Sequence, residues 1–147
     1  MNVTDWLNRV RMLDELINAK LAERDQWIGL GARLTSESDG MPHAKGGVSD
    51  PVGNAGAKLA DLAKETGRLI DEYVDHKQKV IATIEQLPAK QYAVIHKMYI
   101  QYKTQEKIAE ELNCCTMTVW RIQKKALENL QNVIECDVPR EYNVSVK

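Results

Sequence analysis

The chain has 147 residues, with 20 basic against 21 acidic side chains and a net charge of −1. At roughly 100–200 residues per domain, that length holds one domain or two very small ones, and the balanced charge excludes a uniformly basic nucleic-acid coat and an acidic tail protein, though not a local basic patch. Apolar residues make up 44%, which excludes wholesale disorder, and the complete absence of Phe leaves Leu, Ile, Val, Ala and Met to fill a core, which suits helix packing better than a β-sandwich.

Further classes fall away on pattern. No run of 18 apolar residues occurs, so no transmembrane helix and no membrane partner are expected. Met1–Asn8 carries Asp5 and no basic stretch ahead of an apolar run, so no signal peptide is expected. The three cysteines are odd in number and two of them, Cys114 and Cys115, are adjacent; this points away from a disulfide framework and towards a reducing cytoplasm.

In chain order, residues 4–34 are predicted as one long helix capped by Thr4 or Asp5. Trp6, Val10, Leu13, Ile17 and Leu21 recur at helical spacing, with Leu7, Leu16, Ile28 and Leu34 widening the stripe, while Gly29 and Gly31 weaken its last turns. Residues 35–56 hold five of the eight glycines and two of the four prolines, and are predicted as a loop or linker, long enough to be mobile or functional. Residues 57–86 are predicted as a second long helix. Its stripe of Leu59, Leu62, Thr66, Leu69, Tyr73, His76, Val80 and Thr83, with Ile70, Ile81 and Ile84 beside it, alternates steps of three and four in coiled-coil fashion. Two such helices joined by a loop most simply form a long antiparallel hairpin whose faces also offer a dimer seam, with His76 as a polar notch that fixes register. Leu87-Pro88 then punctuates the chain.

Residues 87–131 carry the densest information. A helix over about 89–102 places Tyr92, Ile95, Met98, Tyr99 and Tyr102 on one side. A short helix over about 105–112, capped by Thr104, has Ile108, Ala109 and Leu112 as its apolar face; a tight Asn113-Cys114-Cys115 turn follows. A third helix over about 116–131 turns Val119, Ile122, Ala126, Leu127 and Leu130 inward. This is a helix-turn-helix by its physics: a small residue at Ala109 permits a steep crossing, Asn113 tolerates positive φ, and Cys114 is small and apolar enough to plug the gap between helices. The predicted fold class is all-α: a coiled-coil-like antiparallel hairpin (1–86, with a flexible Gly/Pro loop at about 35–56) that offers an oligomerisation or partner surface, a three-helix module (87–131), and a tail (132–147) in which Val144-Ser-Val is a strand, an arm or neither.

The stretch from Thr104 through Ile108-Ala109 to Leu112-Asn113, followed by Val119, Ile122 and Ala126-Leu127 to Leu130, resembles the fourth conserved region of bacterial sigma-70 factors without a gap. The wider arrangement, a helical hairpin and then a Leu87-Pro88 junction, resembles phage- and prophage-encoded sigma-like late-gene regulators of the ArpU/RinA type. The resemblance implies a sequence-specific DNA-binding transcriptional regulator without catalytic activity. Asn113 stands where the family usually has Gly, Cys115 where Ser usually caps the recognition helix, and Trp120 where a charged residue is common. The upstream sigma regions have no counterpart in these 147 residues.

In a helix-turn-helix the start of the second helix meets base edges, and surrounding contacts to phosphates position it. The outward face here holds Thr116, Met117, Thr118, Trp120, Arg121, Lys124 and Lys125. Arg121 suits bidentate contact to guanine, Thr116 and Thr118 suit phosphates or thymine methyls, and Lys124 and Lys125, with Lys103 and Lys107, suit phosphates. Trp120 has three readings: packing on the hairpin, stacking at DNA, or meeting a protein. Charge agrees locally, since residues 87–131 carry seven basic and four acidic side chains, while residues 1–86 carry eleven and fourteen.

The expected partners are double-stranded DNA, bound by a homodimer on half-sites about 34 Å apart or a multiple, and the host's RNA polymerase. No enzyme, cofactor or metal site is expected, because His43, His76 and His96 lie apart from one another and from the cysteines at no ligand spacing, and no phosphate-binding glycine loop occurs. Two other readings compete: a module that binds polymerase or a sigma or anti-sigma partner without reading DNA, and a ring-forming small terminase subunit of DNA packaging.

Overall fold

A computed structural model of the chain describes residues 2–36 and 51–137. Among these residues the only regular elements are helices: α1 (Val3–Ser36), α2 (Pro51–Ile84), α3 (Ala89–Ile95) with a π-helical continuation over His96–Ile100, α4 (Gln105–Glu111) and α5 (Thr116–Asp137). The all-helical expectation holds. His43, most of the expected loop and the tail beyond Asp137 lie outside the described residues.

Several boundaries differ from those expected. α2 begins six residues early, at Pro51, because Pro at a first helical position lacks only an amide that would be unpaired there anyway. It closes at Ile84 through a turn in which the Gln86 and Leu87 amides donate to the Thr83 and Ile84 carbonyls. α3 gains a π-turn, where the Gln101 amide donates to the carbonyl of His96, five residues back. The chain then reverses at Tyr102, whose φ is 58°. α5 runs six residues past its expected end, to Asp137.

The described chain divides into two compact units, Leu13–Tyr73 and Met1–Met12 with Val74–Lys147. In the first, α1 and α2 run antiparallel. Leu13, Ile17 and Leu69 form the buried seam with Leu21 and Tyr73 against it, and farther along α1 the Lys20 ammonium meets Glu65, earlier on α2, at 3.3 Å. The seam is one residue wide on each helix. Leu16, Ile28 and Ile70, expected to broaden the stripes, are instead exposed, because a pair of helices has no third element to cover their flanks. Among the described residues of this unit, Thr66 is the one buried polar side chain.

In the second unit the start of α1 contributes Val3, Leu7 and Val10 to the core, the end of α2 contributes Val80 and Ile84, the turn after it contributes Leu87, and the helices that follow contribute the rest. His76, expected as a polar notch in the stripe, reaches across to Trp6 of α1. Its Nε2 lies 2.8 Å from the Trp6 carbonyl, and a carbonyl only accepts, so Nε2 carries the proton; the two rings meet edge to face at 5.5 Å. The Arg11 guanidinium sits 5.8 Å from the Tyr102 ring centre.

Candidate nucleic-acid interface

The three-helix module is assembled around Val94, Ile108, Ala109 and Val119, with Met98, Leu112, Cys114 and Ile122 packed on that cluster. Ala109 is small enough for α4 and α5 to approach across the turn. Thr104 caps α4: its hydroxyl accepts from the Lys107 amide at 3.3 Å. Asn113 takes φ 52° and ends α4, and the Cys114 amide donates back to the Ala109 carbonyl at 3.0 Å. Cys114 is half-buried against the core, filling the gap as expected.

The start of α5 answers a point that the sequence left open. Cys115, not Thr116, caps the helix. Its carbonyl accepts from the Thr118 amide at 3.1 Å, and its Sγ lies 3.1 Å from the Thr118 hydroxyl. The Thr118 hydroxyl, followed by its backbone amide, pulls the Cys115 thiol below its usual pKa.

Thr118 does not share the open exposure of the other residues of its predicted face. Thr118 is half-buried and lines a groove with Ala89, Ala93, Leu112 and Ile122. Thr116, Met117, Trp120, Arg121, Lys124 and Lys125 are exposed. Trp120, 47% exposed, is not buried on the hairpin. It borders a hollow with Gln105, Thr116 and Met117, and the Lys124 ammonium stands 5.2 Å from its ring centre.

Two lysines of the preceding segment behave differently. Lys97 and Lys103 clasp the Glu111 carboxylate at 2.6 and 2.7 Å, which holds its pKa down to about 2. The Lys103 ammonium is therefore already engaged by a carboxylate. Lys107 makes only an exposed 3.4 Å pair with Glu110.

Other residues of the interface were not singled out in the sequence. Lys90, at the start of α3, shares a hollow with Arg121 and Lys125, so two helices contribute cations to one place. Gln105 donates to Gln123 at 3.0 Å, and Gln123 donates to the Tyr99 hydroxyl at 3.2 Å, tying α4, α5 and the π-turn together. Asn129 donates to Gln91 at 2.8 Å, which satisfies that buried amide. The available signal for Gln91 and Gln123 was position alone: each sits on the margin of an apolar stripe.

Residues 83–132 match the family model for Sigma-70, region 4. That match gives the chain a helix-turn-helix domain of the sigma region-4 type. Domains of this type bind DNA and RNA polymerase. No curated protein and no solved structure matches the chain. Among the described residues, no helix is long and apolar enough to cross a membrane, and no cluster of His, Cys, Asp and Glu is arranged to hold a metal ion.

Proposed function

We propose that this chain is a sequence-specific, DNA-binding transcriptional regulator of phage or prophage genes. It works without catalysis, in the cytoplasm of a bacterial host, as a homodimer that also touches RNA polymerase. Residues 87–131 form the DNA-binding module, and the hairpin of residues 1–86 carries the oligomerisation surface.

The observation that carries the reading is the first half of α5. Arg121, Lys124 and Lys125 stand exposed on a helix whose opposite side, Val119 and Ala126, is completely buried, so the cations are held rigidly outward. Arg121 is the base reader, with the geometry for guanine O6 and N7. Lys124, Lys125 and Lys107 pair with phosphates, as does Lys103 once Glu111 yields it. Thr116 and Met117 lie at the edge of the groove, and Trp120 stacks or wedges there. Thr118 acts through Cys115, fixing the start of the helix.

Selected-oligonucleotide sequencing followed by gel shift tests this. Arg121→Ala should cost about 1–3 kcal/mol and relax preference at one base, whereas Lys124→Ala should weaken all sequences alike and lower the salt slope by about 1. Binding unchanged by both substitutions overturns the assignment of α5 as the reading helix.

The exposure of Met117 and Trp120, 55% and 47%, favours one second reading, in which this face meets a protein and not DNA. Polymerase capture that Trp120→Ala abolishes, with no salt-sensitive DNA binding, would select it.

A further inference from the structure

α2 has a second stripe, one residue on from each position of its buried seam and so about 100° round the helix. Its open part starts at Gly56 and ends at Val74, alternating steps of four and three over about 27 Å; beyond it Lys77 and Ile81 are half-buried and Ile84 is fully buried. Ile70 and Val74 are 41% and 43% exposed on it, and a Cβ placed on Gly56 or Gly67 would meet nothing. The stripe is graded. Its first four positions are small (glycine and alanine), and its last two, Ile70 and Val74, are large.

The gradient selects an occupant. Against a parallel copy, small would face small and leave voids, while large would crowd large. Against an antiparallel copy the open layers are complementary: Gly67 faces Ile70 of the second copy, and Ala63 faces Val74. The same register sets Lys64, exposed on the outer flank, opposite Asp71 of the second copy, and does so twice by symmetry.

We propose that this outer stripe of α2 is the homodimer interface, with the two α2 helices antiparallel about a twofold axis that passes between Arg68 and Leu69. The proposal deepens the homodimer of the preceding reading without depending on DNA recognition. Sedimentation without DNA measures it alone, and gel shift measures the other.

The full-length chain should sediment as a dimer at micromolar concentration. Ile70→Glu and Gly67→Glu should each give monomers with unchanged helical circular dichroism, since both sites are open to solvent in the single chain. Ile28→Glu, on the exposed side of α1, should leave the dimer intact. Lys64→Glu alone and Asp71→Lys alone should each weaken self-association about tenfold by placing like charges together. An equimolar mixture of these two variants should restore it, because every cross pair is then opposite in sign. A monomeric wild-type chain, a dimer that survives both glutamate substitutions, or a mixture no tighter than its components would overturn the proposal.

Discussion

The three-helix module and the Leu13–Tyr73 hairpin segment are built from the same residue types, yet they bury them differently. In the module Val94, Ile95, Ile108, Val119, Ala126 and Leu130 are all at 0% exposure; in the hairpin segment the best-buried seam residues retain 2–8%. Three helices meeting at steep angles enclose a volume, whereas two side by side share only a line. The module can therefore hold a reading helix rigidly by its own packing. The hairpin segment leaves Leu16, Leu30 and Ile70 in solvent. Such a segment gains stability by associating, and for that reason its outer faces are where a second chain is to be sought.

The largest effects should come from breaking the enclosed core. Ile108→Ala should destabilise the chain by about 2–5 kcal/mol, through lost burial plus the cavity left behind, as measured by chemical denaturation. Leu69→Ala should fall at or below the low end of that range, because its open surroundings collapse more readily. Equal losses at the two sites would remove the distinction between enclosed and shared burial.

Next come the devices that shape the turn. Thr104→Ala removes the hydroxyl that receives the Lys107 amide and should cost about 1 kcal/mol. Asn113→Ala should cost a similar amount, about 1 kcal/mol, because a Cβ without a local hydrogen-bonding group is strained at positive φ. Asn113→Gly should be neutral or slightly stabilising in the same denaturation assay. A stabilised alanine variant would show that the turn tolerates a different backbone conformation.

These contrasts also explain what could be read from the chain beforehand. The module was legible almost residue by residue, because Thr104, Ala109 and Asn113 each answer a local steric or hydrogen-bonding need, and local needs show in local sequence. The ends of α2 and α5 were not. Glycine- and proline-rich composition suggested a loop through residue 56, but Pro51 and Ala55 fit a helical start, and Ala55 is buried. Leu16 and Ile70 were misassigned for another reason. Periodicity shows how wide an apolar stripe is, but not how many neighbours exist to cover it. The Gln105–Gln123–Tyr99 chain and the convergence of Lys90 on Arg121 depend on how helices cross, which no spacing along one helix reports.

The smallest expected effect concerns Glu111, the one carboxylate of the module gripped by two lysines. Its carboxyl titrates at about 2 in the folded chain against an ordinary value of 4.5, so the folded state binds that proton less readily than the unfolded state does. The stability it contributes is complete above about pH 4.5 and is lost progressively as pH falls towards 2. Glu111→Gln should lower stability slightly at neutral pH and leave it unchanged near pH 2, flattening this part of the acid-denaturation curve, and the change should be small since the pair is solvent-accessible and screened. The same substitution frees Lys97 and Lys103. If Lys103 reaches a phosphate, the variant should bind DNA more tightly at low salt, with a steeper salt dependence. Unchanged DNA affinity together with a flattened acid limb would assign both lysines to holding α4 against the π-turn, and would leave DNA contact to α5 and Lys90.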